Sequence, residues 1–119
     1  MLEGRRILIA EDETFIAYDI ALAIEEAGGQ VIGPVASVAE ALELLEQNEV
    51  SGAILDVNLA DRDVSPVANL LIKRGVPIVF HTGVGIPTEL KVRNLNLVVC
   101  IKPTSPEHLI QQLRRQIAP

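Results

Sequence analysis

The chain has 119 residues, 49% apolar but only 3% aromatic, with a formal net charge of −6. That length buries well over half of an unfolded surface in one domain spanning 1–119, with a core of Ile, Leu, Val and Ala, and this excludes disorder. Scattered Lys and Arg on an acidic chain argue against direct binding to nucleic acid, a single cysteine excludes an internal disulfide, and the lack of a signal peptide or bilayer-length apolar run predicts a cytoplasmic protein without a membrane partner.

Apolar runs of strand length alternate with segments of helical period, the pattern of repeated βα units around a parallel sheet covered on both faces. The first strand is "RILIA" (6–10). A helix follows Glu13, repeats apolar residues at Ile16, Ile20, Ala23 and Ala27, and stops at Gly28. The second strand is "VIGPVA" (31–36), and its helix opens on Ser37 with Glu40 three residues on, a capping box ahead of Ala41, Leu42 and Leu45. The third strand is "GAILDV" (52–57). Ser65 and Pro66 then open a helix that runs to Arg74, with proline in the first turn where its missing N–H costs nothing. The fourth strand is "PIVFH" (77–81). Two breakers in "VGIPTELKVRN" predict a short or mobile fourth helix over 88–94. The fifth strand, "LVVCI" (97–101), leads to a helix with Leu109, Leu113 and Ile117 on one face and Gln112, Arg114 and Arg115 left for water.

Parallel strands deliver their carboxyl ends to one edge, where open α/β folds place ligands. Here the first strand ends in Glu11, Asp12 and Glu13, the third at Asp56, the fourth at Thr82 and the fifth at Lys102. Each of these alone is an ordinary feature: an acidic turn before a helix, a turn threonine, a surface lysine. Together they make a site. Close carboxylates repel by about 4 kcal/mol per pair at an effective dielectric near 20, so the group takes up protons or a cation. An all-oxygen donor set without His or Cys points to Mg²⁺, with Asp12 and Asp56 as direct ligands and Glu11 acting through water. The Lys102 ammonium and Thr82 hydroxyl could then hold phosphoryl oxygens while Asp56 serves as the acceptor.

The segments "LIAEDE", "AILDVNL", "VFHTG" and "CIKP" occur in the order found in the receiver domain of bacterial two-component response regulators, and the chain resembles that family over essentially its whole length. "GVPIVFHTGVG" resembles a subgroup of short, often single-domain alphaproteobacterial regulators. The resemblance implies a flavodoxin-like, doubly wound, five-stranded parallel sheet of order 2-1-3-4-5 with about five helices. It implies Asp56 as phosphoacceptor, Glu11 and Asp12 as metal-site acids, the backbone carbonyl of Asn58 as a further Mg²⁺ ligand, Thr82 as the switch hydroxyl and Lys102 as the phosphate-binding lysine. A cis bond between Lys102 and Pro103 is also implied. The partners implied are a sensor histidine kinase and a downstream protein. One position departs: Val99 stands where most receivers carry the Phe or Tyr that swings inward on phosphorylation.

His81 is expected to pack under a covering helix, His108 to be at the surface, and Cys100 to be an inert core thiol. Asp61 and Asp63 are expected in a solvated loop, with a contribution to the cation site as the alternative. With no effector domain after Gln116, output is expected by contact with a protein or by shuttling phosphate. The expected function is a phosphorelay receiver, not an enzyme acting on other substrates. A pseudo-receiver that binds partners without phosphorylation is the alternative, and a Mg²⁺-dependent phosphatase a weaker one, lacking an Asp-x-Asp motif after the first strand.

Overall fold

Five apolar runs, each too short to pack alone, pair in parallel with their polar ends on one side. In the computed structural model, which describes residues 1–93 and 96–117, the elements are β1 (Arg6–Ala10), α1 (Thr14–Glu26), β2 (Gln30–Val35), α2 (Val38–Gln47), β3 (Gly52–Asp56), α3 (Ser65–Lys73), β4 (Ile78–Thr82), α4 (Thr88–Arg93), β5 (Val98–Ile101) and α5 (Pro106–Ile117). The strand order is β2-β1-β3-β4-β5, all parallel, the flavodoxin-like arrangement that the resemblance implies.

Strand alternation divides the core in two. Leu8, Leu55 and Phe80 face α2 and α3, where they meet Ala41, Leu45, Val67 and Leu71. Ile7, Ile9, Ile54 and Val79 face α1 and α5, where they meet Ile20, Ile24, Leu109 and Leu113. The three inner strands are buried on both faces, which is why their sequences read as continuous apolar runs. Each fully buried Leu or Ile side chain contributes about 1.5–3 kcal/mol, so the sheet edge that carries polar groups is held by a rigid frame.

The strand and helix ends fall within about a residue of the predicted ones, and two details differ. In α1 the buried positions are Ala17, Ile20, Ala23 and Ile24, while Ile16 is half-buried and Phe15, Tyr18 and Leu22 are exposed. That helix carries apolar residues on every side, so its period alone does not define the inner face. In β2 the pairing with β1 slips between Leu8 and Ala10. Gly33 there has φ +102° and precedes a cis peptide bond to Pro34, and a Cβ on Gly33 would sit 2.9 Å from the Ile9 carbonyl oxygen. The fourth helix is short, as predicted; Asn94, the end of its predicted span, lies outside the described residues.

Candidate functional site

The backbone brings four strand ends together at the carboxyl edge. Glu11 follows β1 directly, its N–H donating to the Val35 carbonyl at 2.9 Å and its Oε2 accepting from the Glu13 N–H at 3.1 Å. Asp56 closes β3, buried to 7% exposure, and Asp12 beside it is exposed. One carboxylate oxygen from each of Glu11, Asp12 and Asp56 lies within 4.8 Å of the other two. Lys102 follows β5, held by its N–H donating to the Thr82 carbonyl at 2.9 Å. From there its Nζ reaches Glu11 Oε1 at 3.1 Å, Asp56 Oδ2 at 3.2 Å and Glu13 Oε2 at 3.5 Å. Lys102–Pro103 is cis, as the resemblance implies.

This ammonium is what receives the carboxylate at the end of β3. One cation does not neutralise so many acids, and the electrostatics record the remainder. Burial pushes the Glu11 carboxyl up to about 8, aided by a hydrogen bond with Asp56 and by repulsion from it. At neutral pH without metal, Glu11 therefore carries a proton. Burial alone would lower the Lys102 ammonium, yet the hydrogen bonds and charges of Glu11 and Asp56 raise it, so it stays charged. The residues fit a hard divalent ion: the donors are all oxygens, and three acids converge where, among the described residues, the Lys102 ammonium is the one cation beside them.

The other predicted residues are distributed as follows. Asn58 is exposed at the same edge, its N–H donating to Asp56 Oδ1 at 3.4 Å. Thr82 is wholly buried, and its hydroxyl is engaged with the loop after β4: it donates to the Gly85 carbonyl at 3.1 Å and accepts from the Val84 N–H at 3.1 Å. Val99 is half-buried, in register with Phe80 and packed on the α2–α3 side of the core. His81 is buried under α1 and α5 as predicted, His108 is exposed, and Cys100 is buried with its thiol pushed up by burial.

Asp61 and Asp63 lie in the loop after β3 as expected, Asp61 exposed and neither in the acidic cluster, and both carboxylates there accept backbone hydrogen bonds. Both oxygens of Asp61 accept from the first turn of α2, from the Val38 N–H at 2.8 Å and the Ala39 N–H at 3.1 Å, and these bonds hold its carboxyl below the usual range. Ser37 Oγ accepts from the Glu40 N–H at 3.1 Å, so the orphan donors of that helix are shared between its own cap and a residue more than twenty positions away. With the Ala60 N–H donating to the Ala36 carbonyl at 2.9 Å, this straps the loop after Asp56 onto α2. Asp63 lies just before α3, its Oδ1 accepting from the Ser65 N–H at 2.9 Å, and the Ser65 hydrogen bonds hold its carboxyl low. The sequence reading named Glu13 at the end of the first strand without giving it a role; the structure places its Oε2 3.5 Å from Lys102 Nζ.

No family model matches the chain. Among curated proteins it is 38% identical over 79 residues to the transcriptional regulatory protein PdtaR of Mycobacterium tuberculosis strain CDC 1551, covering 66% of this chain and 38% of that protein. It shows the same 38% identity over 79 residues to the phyllosphere-induced regulator PhyR of Methylorubrum extorquens strain AM1, covering 64% of this chain and 30% of that protein. The chain thus spans about a third of the length of these curated relatives. Among solved structures, SdrG from Sphingomonas melonis Fr1 is 32% identical, covers 99% of this chain and 100% of its own, and superposes with a TM-score of 0.79. A response regulator receiver protein from Sinorhizobium medicae WSM419 is 26% identical over 98% of this chain and 97% of its own, with a TM-score of 0.80.

Proposed function

The chain belongs to the receiver-domain family of response regulators, and from that premise we propose that it accepts a phosphoryl group on Asp56 from the phosphohistidine of a sensor kinase and thereby changes its affinity for a downstream protein. The observation that carries this reading is the setting of Asp56: a nearly buried carboxylate at a strand end, 3.2 Å from a charged lysine and within a cluster of acids. Asp12, Asp56 and the Asn58 carbonyl, with Glu11 alongside, would hold Mg²⁺, which when bound supplies positive charge against the phosphoryl oxygens.

In the transfer a carboxylate oxygen of Asp56 forms the new P–O bond as the P–N bond to the kinase imidazole breaks, and the imidazole leaves with that electron pair. Lys102 exchanges carboxylate oxygens for a phosphoryl oxygen, a short move because its Nζ already lies against Asp56. The Thr82 hydroxyl can donate to another phosphoryl oxygen only by releasing the Gly85 carbonyl, and this would free the loop that carries the exposed Val84. With valine at position 99, no aromatic ring swings at β5. Readout then falls to the β4–α4 loop and to the loop after Asp56 strapped on α2. The chain catalyses its own phosphorylation and dephosphorylation and no turnover of another substrate. The motif "FHTG" and the 32% identity with SdrG support a place in the alphaproteobacterial-type subgroup that the sequence resembles.

The test is intact mass after incubation with acetyl phosphate and Mg²⁺. One labile phosphoryl adduct is expected, not formed when EDTA replaces Mg²⁺ and absent in Asp56→Asn. No adduct on the wild type, or an adduct that survives in Asp56→Asn, overturns the assignment. Val99 favours a second reading, a pseudo-receiver whose partner binding does not depend on phosphorylation; in that case a captured partner binds wild type and Asp56→Asn equally.

A further inference from the structure

Lys102 is held by three acids, and one of them stands apart from the acidic cluster. Its Nζ lies 3.1 Å from Glu11 Oε1, 3.2 Å from Asp56 Oδ2 and 3.5 Å from Glu13 Oε2. Glu11 and Asp56 converge with Asp12 as cation donors, whereas Glu13 is outside that group. Glu13 is also an unusual residue for its place. It is the N-cap of α1, a position that favours Ser, Thr, Asp or Asn, yet its side chain bonds none of the helix N–H groups. Its backbone is fixed at both ends, the N–H donating to Glu11 Oε2 at 3.1 Å and the carbonyl accepting from the Ala17 N–H at 3.0 Å. A well-held turn therefore carries a carboxylate that the helix leaves unused and that pairs with Lys102 instead.

A divalent ion on the cluster changes what Lys102 can hold. The ion and the ammonium compete for the oxygens of Glu11 and Asp56 and repel each other, so the lysine needs an anion that the ion does not claim. Of its three partners, Glu13 is that anion. There is room for the shift: a cleft of about 370 Å³ is lined by Glu13, Lys102 and Pro103, and Asp19 adds a second negative charge to its wall. His81, which also lines it, is held toward its neutral form by burial and by the Lys102 charge, so it does not oppose an ammonium there.

Resting on the metal reading given under the proposed function, we propose that Glu13 is a positioning residue: it takes over the Lys102 ammonium when Mg²⁺ occupies the oxygens of Glu11 and Asp56, so that the divalent ion and the lysine share the site.

In the test, Mg²⁺ is titrated into the full chain without phosphodonor and followed by the backbone amide shifts of residues 11–13 and 56–58. Glu13→Gln is expected to weaken Mg²⁺ binding about threefold, the scale of one partly exposed ion pair. In a Lys102→Met background the same change is expected to have little effect, because the ammonium through which Glu13 acts is gone. Equal weakening in both backgrounds means that Glu13 acts on the ion by its charge alone, and overturns the proposal. Independently of the Lys102 variant, the Lys102 ¹⁵Nζ shift, read through its Hε protons, is expected to change more on Glu13→Gln with Mg²⁺ bound than in EDTA. A change that is no larger with Mg²⁺ overturns the proposal. Glu13→Ser supplies the cap that α1 lacks, so in EDTA its urea midpoint should match or exceed that of the wild type while its Mg²⁺ affinity falls as in Glu13→Gln. A wild type that takes up Mg²⁺ no better than Glu13→Gln and Glu13→Ser overturns this proposal alone, whereas a wild type that takes up none overturns the metal reading and this proposal with it.

Discussion

Raising the pH in the absence of divalent cations is expected to destabilise the wild-type fold, and Glu11→Gln is expected to remove that dependence. Glu11 binds its proton up to about 8 in the folded chain, against 4.5 ordinarily, because burial and Asp56 oppose its charge. Between these values the folded state holds a proton that the unfolded chain has released, so stability falls as pH rises. Below 6.5 a second group interferes with the opposite sign: His81 is held below its ordinary 6.5, so the unfolded chain binds the extra proton there and stability rises with pH. The lowered Asp61 and Asp63 act below 3.8, and the raised Cys100 and Lys102 above 9.0 and 10.5, all outside the window. From pH 6.5 to 8 Glu11 therefore acts alone among the shifted groups. At about 1.4 kcal/mol per pH unit for one proton, the loss across that interval approaches about 2 kcal/mol. Urea unfolding with EDTA present, at half-unit steps over this range, should show the midpoint falling by about 1–2 M for an ordinary slope. Glutamine keeps the shape and the uncharged state of protonated Glu11, so its midpoint should stay level, and Mg²⁺ should restore the wild type most at pH 8. A wild-type midpoint that stays level, or a slope that Glu11→Gln leaves unchanged, refutes the assignment of the proton to Glu11.

Other consequences follow from contacts away from the acids. Asp61→Ala removes both hydrogen bonds to the start of α2 and should lower the midpoint of thermal or urea unfolding, a loss that a loop residue without such bonds would not show. Phe80→Ala deletes the largest fully buried side chain and should cost about 3–5 kcal/mol by the same measure. Gly33→Ala forces a Cβ into the Ile9 carbonyl at positive φ; a loss of more than about 1 kcal/mol is expected, and a neutral result would mean that β2 relaxes at its bulge.

Most of the fold was legible because burial on two faces leaves a strong mark: "GAILD" and "PIVFH" have no polar residue until their ends, and between them Pro66 and Gly75 frame a helix. Legibility failed where the local signal was flat. The apolar residues all round α1 concealed which of them point inward, and its exposed Phe15 and Tyr18 look like core in the sequence.

By itself the sequence determined the alternation of strand and helix, and with it the meeting of acids, threonine and lysine at one edge, since parallel strands have no other place to end. Only the tertiary structure decided how the charge there is settled. Lys102 lies 46 positions from Asp56 and 91 from Glu11 along the chain, and its reach to both depends on β5 lying beside β4. The same holds for Asp61 on α2, for the Thr82 hydroxyl turned to Gly85, and for the unpartnered imidazole of His81. Periodicity records which face of an element leaves water; it carries no information about which distant group will then stand within 3 Å, and that distance sets hydrogen bonds and protonation.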